Sequence, residues 1–186
     1  MKTYLQNIIQ SFQFENLPAE WQQIDLSKFS DKKTLFDYQQ KALENALIAL
    51  YKYYVDCDAS KESFFYFYQN NGLTEDLDLK LNENKKTRIF EDFDNDYKIE
   101  DDKIAFYHFI NRMSFWMATG SGKTLVIVKL IELLALLMKE NQISKNDILF
   151  LTYREDLIEQ FKSHIEEFNE SNNFIINLYN LKDYSS

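Results

Sequence analysis

The sequence predicts an α/β fold built on a parallel sheet, and three observations carry that expectation. From residue 111 onward, apolar runs of strand length alternate with segments of helical periodicity. Two of the chain's three glycines, Gly120 and Gly122, stand between the first such run and the first such helix. Apolar residues make up 45% of the 186-residue chain and aromatics 16%, enough for a substantial core. Strand, helix, strand, helix, strand is the order of a parallel sheet joined by right-handed crossovers.

Residues 1–33 read as an N-terminal extension, in which Pro18 of "LPAEWQQ" suits the first turn of a short helix. Residues 34–52, "TLFDYQQKALENALIALYK", predict a helix: Leu35, Tyr38, Ala42, Ala46 and Ala49 recur at spacings of three and four, and Thr34 is a plausible N-cap. Residues 53–112 mix aromatics with acids and show no long period. Gly72 ends a turn signal, "NNG", and a highly charged run follows. This part reads as an inserted, mainly helical acidic lobe, with Asp78 and Lys80 of "LDLK" on its surface.

Residues 113–186 form the regular part. "RMSFWMA" suits a buried strand; an apolar helix follows from about Lys123 to Lys139. "ILFLTY", residues 148–153, reads as a second strand. "REDLIEQFKSHIEEFN" places Leu157, Ile158, Phe161, Ile165 and Phe168 on one helical face, and "FIINLY" reads as a third strand. Gln160 reads as structural.

Composition narrows the function classes. One cysteine, Cys57, permits no internal disulfide and points to a reducing compartment; it reads as a small buried residue. Two histidines and one cysteine argue against a zinc cluster. The most apolar segment, "TLVIVKLIELLALLM", is interrupted by Lys129 and Glu132 and is too short to span a bilayer. A soluble, cytoplasmic chain is the expectation. The net charge of −9 argues against nucleic-acid binding by the whole surface, but −6 of it falls within residues 51–110, leaving a nucleic-acid face possible elsewhere.

The glycine pair explains itself through phosphate chemistry. Backbone N–H groups converge on a polyphosphate only in a loop without intruding side chains, leading into a helix N-terminus. In "MATGSGKT", Gly120 and Gly122 permit that approach, Lys123 supplies a point charge for the β- and γ-phosphates, and the Thr124 hydroxyl can ligate Mg²⁺. Thr119 to Thr124 thus reads as a Walker A loop binding ATP and Mg²⁺. It departs from the strict pattern at Met117, where the first glycine would stand.

With that loop, the chain resembles the superfamily 2 helicases and translocases, and within them the branch that includes the motor subunits of type III restriction enzymes. "MATGSGKT" looks like motif I. "LFDYQQKALENAL" resembles the family's upstream element, and "ILFLTYREDLIEQF" resembles motif Ia, which ends in L-x-x-Q. The resemblance covers residues 34–50 and 113–170. It implies a partial P-loop, RecA-like parallel sheet with helices on both faces. It also implies that Gln39 meets the adenine edge and that Thr152, Tyr153 and Arg154 touch a DNA backbone. Taken alone, Tyr38-Gln39 would be a solvated helix end. Arg154, at the expected carboxyl edge of the sheet, either holds a phosphate or pairs with Glu155 or Asp156.

The Walker B pair D-E-x-H has no counterpart after residue 125, and no nuclease signature is present. The expectation is therefore the N-terminal ATP-binding piece of a longer DNA translocase. Its partner would be a modification methyltransferase, and hydrolysis and cleavage would reside in the full-length protein. The alternatives are a stand-alone helicase fragment and a non-catalytic nucleotide-binding or interaction module.

Overall fold

Apolar stripes on five α-helices organise the described residues. In a computed structural model, the described residues are 4–72, 79–80, 99–100, 103–108 and 110–180. The helices are α1 (Tyr4–Gln10), α2 (Asp37–Tyr51), α3 (Lys61–Asn70), α4 (Lys123–Lys139) and α5 (Glu155–Ser171). Three two-residue strands, β1 (Leu79–Lys80), β2 (Ile99–Glu100) and β3 (Lys103–Ile104), pair antiparallel in the order β1-β3-β2. Asp78 and most of the highly charged run, residues 82–98 and 101–102, lie outside the described residues. None of the described helices is long and apolar enough to cross a membrane.

The chain divides into two units. The first comprises residues 1–13 and 49–114. Its core gathers Ile8 of α1, Cys57, Phe64 and Tyr68 of α3, and Ile110. Burial pushes the Cys57 thiol up, as expected of a small apolar filler, and pushes the Tyr68 phenol up to about 12. Beyond Tyr51 the helix widens into a π-helical turn, Lys52–Asp56. There the Lys52 ammonium sits 4.1 Å from the centre of the Phe12 ring and pairs with Asp56 at 2.6 Å. Ser60 then caps α3, its Oγ accepting from the Ser63 N–H at 3.1 Å.

The second unit comprises residues 14–48 and 115–186. Here α4 packs against α5. As the periodicity predicts, α5 buries Phe161, Ile165 and Phe168. Phe29 closes over them, its ring 5.7 Å from that of Phe168 in an edge-on arrangement. Polar bonds hold the Phe29 segment down. Ser30 Oγ donates to Glu167 at 2.8 Å, Lys33 pairs with the same carboxylate, and Asn172 Nδ2 donates to the Phe29 carbonyl at 2.9 Å. Pro18 caps a 3₁₀ turn, Ala19–Trp21, whose buried Trp21 donates to Gln142 Oε1 at 3.2 Å. The lysine in the apolar helix is internal: Lys129 is buried and pairs with Glu132 one turn on, at 2.7 Å.

The expected parallel sheet is not formed among the described residues. Residues 112–118, 148–152 and 175–180 carry no strand ladder. Several of their apolar side chains are turned out: Trp116 is 90% exposed and Leu151 75%, while Ile176 is buried and Phe150 stacks on Phe161. An apolar run records a demand for burial, but a parallel strand exists only through hydrogen bonds to neighbouring strands. Among the described residues those neighbours are lacking, so the RecA-like sheet with helices on both faces is replaced by helical packing. The N-cap expectation also shifts. Thr34 forms an isolated bridge with Lys28, and α2 begins three residues later at Asp37.

His164 makes this unit sensitive to acid. Its ring meets Phe29 edge-on at 6.2 Å, and its Nδ1 is enclosed without a hydrogen-bond partner. Burial, and then the charge of Lys33, lower its pKa; Glu167 opposes them. The unfolded imidazole gains its proton near pH 6.5, while the folded one resists until lower pH. Between those points the unfolded chain binds more protons, so stability is full above about pH 6.5 and declines as pH falls through the folded value. Urea midpoints should therefore drop between about pH 7.5 and about pH 5.5, and His164→Gln should flatten that drop. A midpoint independent of pH in the parent chain would contradict this assignment.

Candidate nucleotide-binding site

The loop from Met117 to Thr124 lies in the second unit and leads directly into α4. Gly120 and Gly122 adopt φ of +78° and +72°, the left-handed region that side chains with a Cβ avoid. At Gly120 the requirement is conformational, since a Cβ there would meet open space. At Gly122 it is also steric: an added Cβ would lie 2.5 Å from Gln39 Nε2. Gly122 is the N-cap of α4 and has no side chain to satisfy the helix's first N–H groups. Among the described residues no hydrogen bond reaches the N–H of Gly122, Lys123 or Thr124. The Ser121 Oγ is enclosed and likewise has no partner.

Lys123 folds back over this opening. Its ammonium donates to the carbonyls of Met117 at 2.9 Å and Ala118 at 2.7 Å. Met117 thus serves the loop through its backbone, which any residue provides, and the missing first glycine is no obstacle to that contact. Thr119 lies in the turn before Gly120.

Gln39 reaches the loop from α2. It is only 2% exposed, and both ends of its amide are engaged. Oε1 accepts the Phe36 N–H at 2.8 Å, the reach-back of a capping box from the third helical position to the N-cap. Nε2 donates to the Ser121 carbonyl at 2.8 Å. Tyr38 adds a second bond to that carbonyl, from its hydroxyl at 3.0 Å. Gln39 is therefore no solvated helix end; it ties the start of α2 to the glycine loop. Gly122→Ala should break this tie, because the methyl group must displace the Gln39 amide and the alanine itself is held at positive φ at a cost of about 1–2 kcal/mol. Faster hydrogen exchange at the N-terminus of α2 is the expected signature, and unchanged exchange there would count against it.

The residues Thr152, Tyr153 and Arg154 lead into α5, but no sheet edge stands beside them. Thr152 Oγ1 accepts the Arg154 N–H at 3.3 Å, and the Tyr153 ring is free in solvent. The Arg154 guanidinium pairs with both oxygens of Asp156, Nε donating at 3.0 Å; that bond holds the Asp156 carboxyl below its ordinary range. A cavity of about 80 Å³ lies in the first unit, lined by residues including Leu5, Tyr53, Phe64 and Ile110. It is too small for a nucleotide, since ligand pockets run to roughly 300–1,000 Å³.

A family model described as "Type III restriction enzyme, res subunit" matches residues 32–186. The chain belongs to this family. No curated protein and no solved structure matches it. The res-family match includes α2 with Gln39, the glycine loop and α5 together, and agrees with the superfamily 2 resemblance of the three motifs.

Two side chains of this res-family chain that the sequence does not single out for the loop touch it. Tyr38 stands in the helical stripe, and its ring is half exposed while its hydroxyl meets the loop. Gln160 reads as structural from the sequence, and its Oε1 accepts from the Thr124 hydroxyl at 3.3 Å. Its position at the end of L-x-x-Q was the available signal.

Proposed function

We propose that the chain is the ATP-binding portion of a DNA translocase, the motor subunit of a type III restriction-modification system. The observation that carries this reading is the unpartnered set of N–H groups at Gly122, Lys123 and Thr124, beside the enclosed Ser121 hydroxyl. Such donors at the start of a 17-residue helix fit a polyphosphate.

In this reading Thr119 to Thr124 would cradle the phosphates, with the Lys123 ammonium supplying positive charge towards the β- and γ-phosphates. Thr124 would offer a hydroxyl lone pair to Mg²⁺. Gln39 retains one N–H and one lone pair for the adenine edge while holding Ser121 in place. Thr152, Tyr153 and Arg154 meet the DNA backbone, Arg154 exchanging Asp156 for a phosphate. Bound Mg²⁺-ATP supplies the phosphoryl chemistry. The acids needed to hold Mg²⁺ and activate water have no D-E-x-H counterpart after residue 125, so hydrolysis and cleavage belong to a full-length motor acting with a modification methyltransferase in the cytoplasm.

Calorimetric titration of the chain with ATP and GTP tests the reading, alongside a phosphate-release assay. The expected result is saturable binding that favours ATP, without steady-state turnover. Phosphate release lost in Lys123→Ala would refute the division of labour, and absence of nucleotide binding would refute the reading itself.

A further inference from the structure

Gln160 stands on α5, yet its side chain ends at the first turn of α4. The Thr124 hydroxyl donates its proton to Gln160 Oε1 at 3.3 Å. Among the described residues this is the one hydrogen bond made by that hydroxyl. Gln160 is exposed on α5, away from the buried row of Phe161, Ile165 and Phe168.

A threonine hydroxyl has one proton and two lone pairs, and its rotor settles where the proton finds an acceptor. A divalent cation binds oxygen through a lone pair and is repelled by the proton. An acceptor on the α5 side therefore draws the proton towards α5 and leaves the lone pairs for the loop side. We infer that Gln160 is a positioning residue, which orients the Thr124 hydroxyl for Mg²⁺ through the hydrogen bond from α4 to α5. The inference rests on the ATP–Mg²⁺ reading of the loop and adds a residue to it. Gln160 touches neither metal nor nucleotide; it acts through Thr124.

The readout is the factor by which Mg²⁺ tightens nucleotide binding, measured by titrating the full chain with a fluorescent ATP analogue in excess Mg²⁺ and in EDTA. Gln160→Leu keeps the helix preference of the position but removes the acceptor. It should shrink the Mg²⁺ factor by about 3- to 10-fold, the value of one neutral hydrogen bond. Gln160→Glu retains an acceptor and should preserve the factor. In a Thr124→Val background, Gln160→Leu should have no further effect on it. A full Mg²⁺ factor in Gln160→Leu overturns the inference while leaving the nucleotide site intact. Equal weakening with and without Mg²⁺ also overturns it, because that pattern marks a general loss of structure. No binding by the parent chain removes the underlying reading and the inference with it.

Discussion

Lys123→Ala is expected to weaken ATP binding by roughly 30-fold or more. Removing one partner of a desolvated charge pair costs about 2–5 kcal/mol, and each 1.4 kcal/mol is tenfold in affinity. The ammonium is held over the loop by the Met117 and Ala118 carbonyls. Its loss therefore removes the charge at the position where β- and γ-phosphates would lie. Gln39→Ala should cost less at the nucleotide, because only neutral bonds are lost, at about 0.5–1.5 kcal/mol each. It also releases the Ser121 carbonyl and the Phe36 N–H. Isothermal titration of both variants with ATP, together with circular dichroism to confirm retained helix, provides the comparison. Undiminished affinity in Lys123→Ala would end the Walker reading of the loop.

Phe168→Ala should produce the largest loss of stability in the second unit. Phe168 is fully buried, packed edge-on to Phe29, and next to the Asn172 bond that holds the Phe29 carbonyl. Truncating a core phenylalanine costs about 3–5 kcal/mol through lost transfer energy and the cavity left behind. Domains have only about 5–15 kcal/mol of net stability. The urea midpoint of the α4–α5 signal should therefore fall steeply. Trp116→Ala is the control: the ring is exposed, and surface substitutions change stability by about 0.5 kcal/mol or less. Equal effects of the two substitutions would contradict the assignment of Phe29 and Phe168 to the core.

The helices were legible because each carries its own pattern. The stripe of Phe161, Ile165 and Phe168 requires no knowledge of its partner to be recognised, and the same holds for α4 from Lys123 to Lys139. The glycine loop was legible for a related reason. Positive φ at positions 120 and 122 is a local steric demand, and glycine meets it in any fold. The family followed from the same short segments.

The strands were not legible in this sense. "RMSFWMA", "ILFLTY" and "FIINLY" are apolar, but a sheet depends on hydrogen bonds to other segments, and none of the three makes a ladder among the described residues. Their composition was mistaken for their pairing. Side-chain partners were equally hidden. Nothing local announces that Gln39, 82 residues before Ser121, is buried against its carbonyl. Nor does it announce that Gln160 meets Thr124 across 36 residues. The Arg154–Asp156 pair, only two residues apart, is by contrast one of the two outcomes that the local sequence offers. By itself the sequence determined the α4 and α5 helices, the backbone of the glycine loop and the family, because these depend on residues close together in the chain. The tertiary structure alone decided which apolar runs found partners and which polar side chains met at the loop, because those outcomes depend on contacts between distant residues.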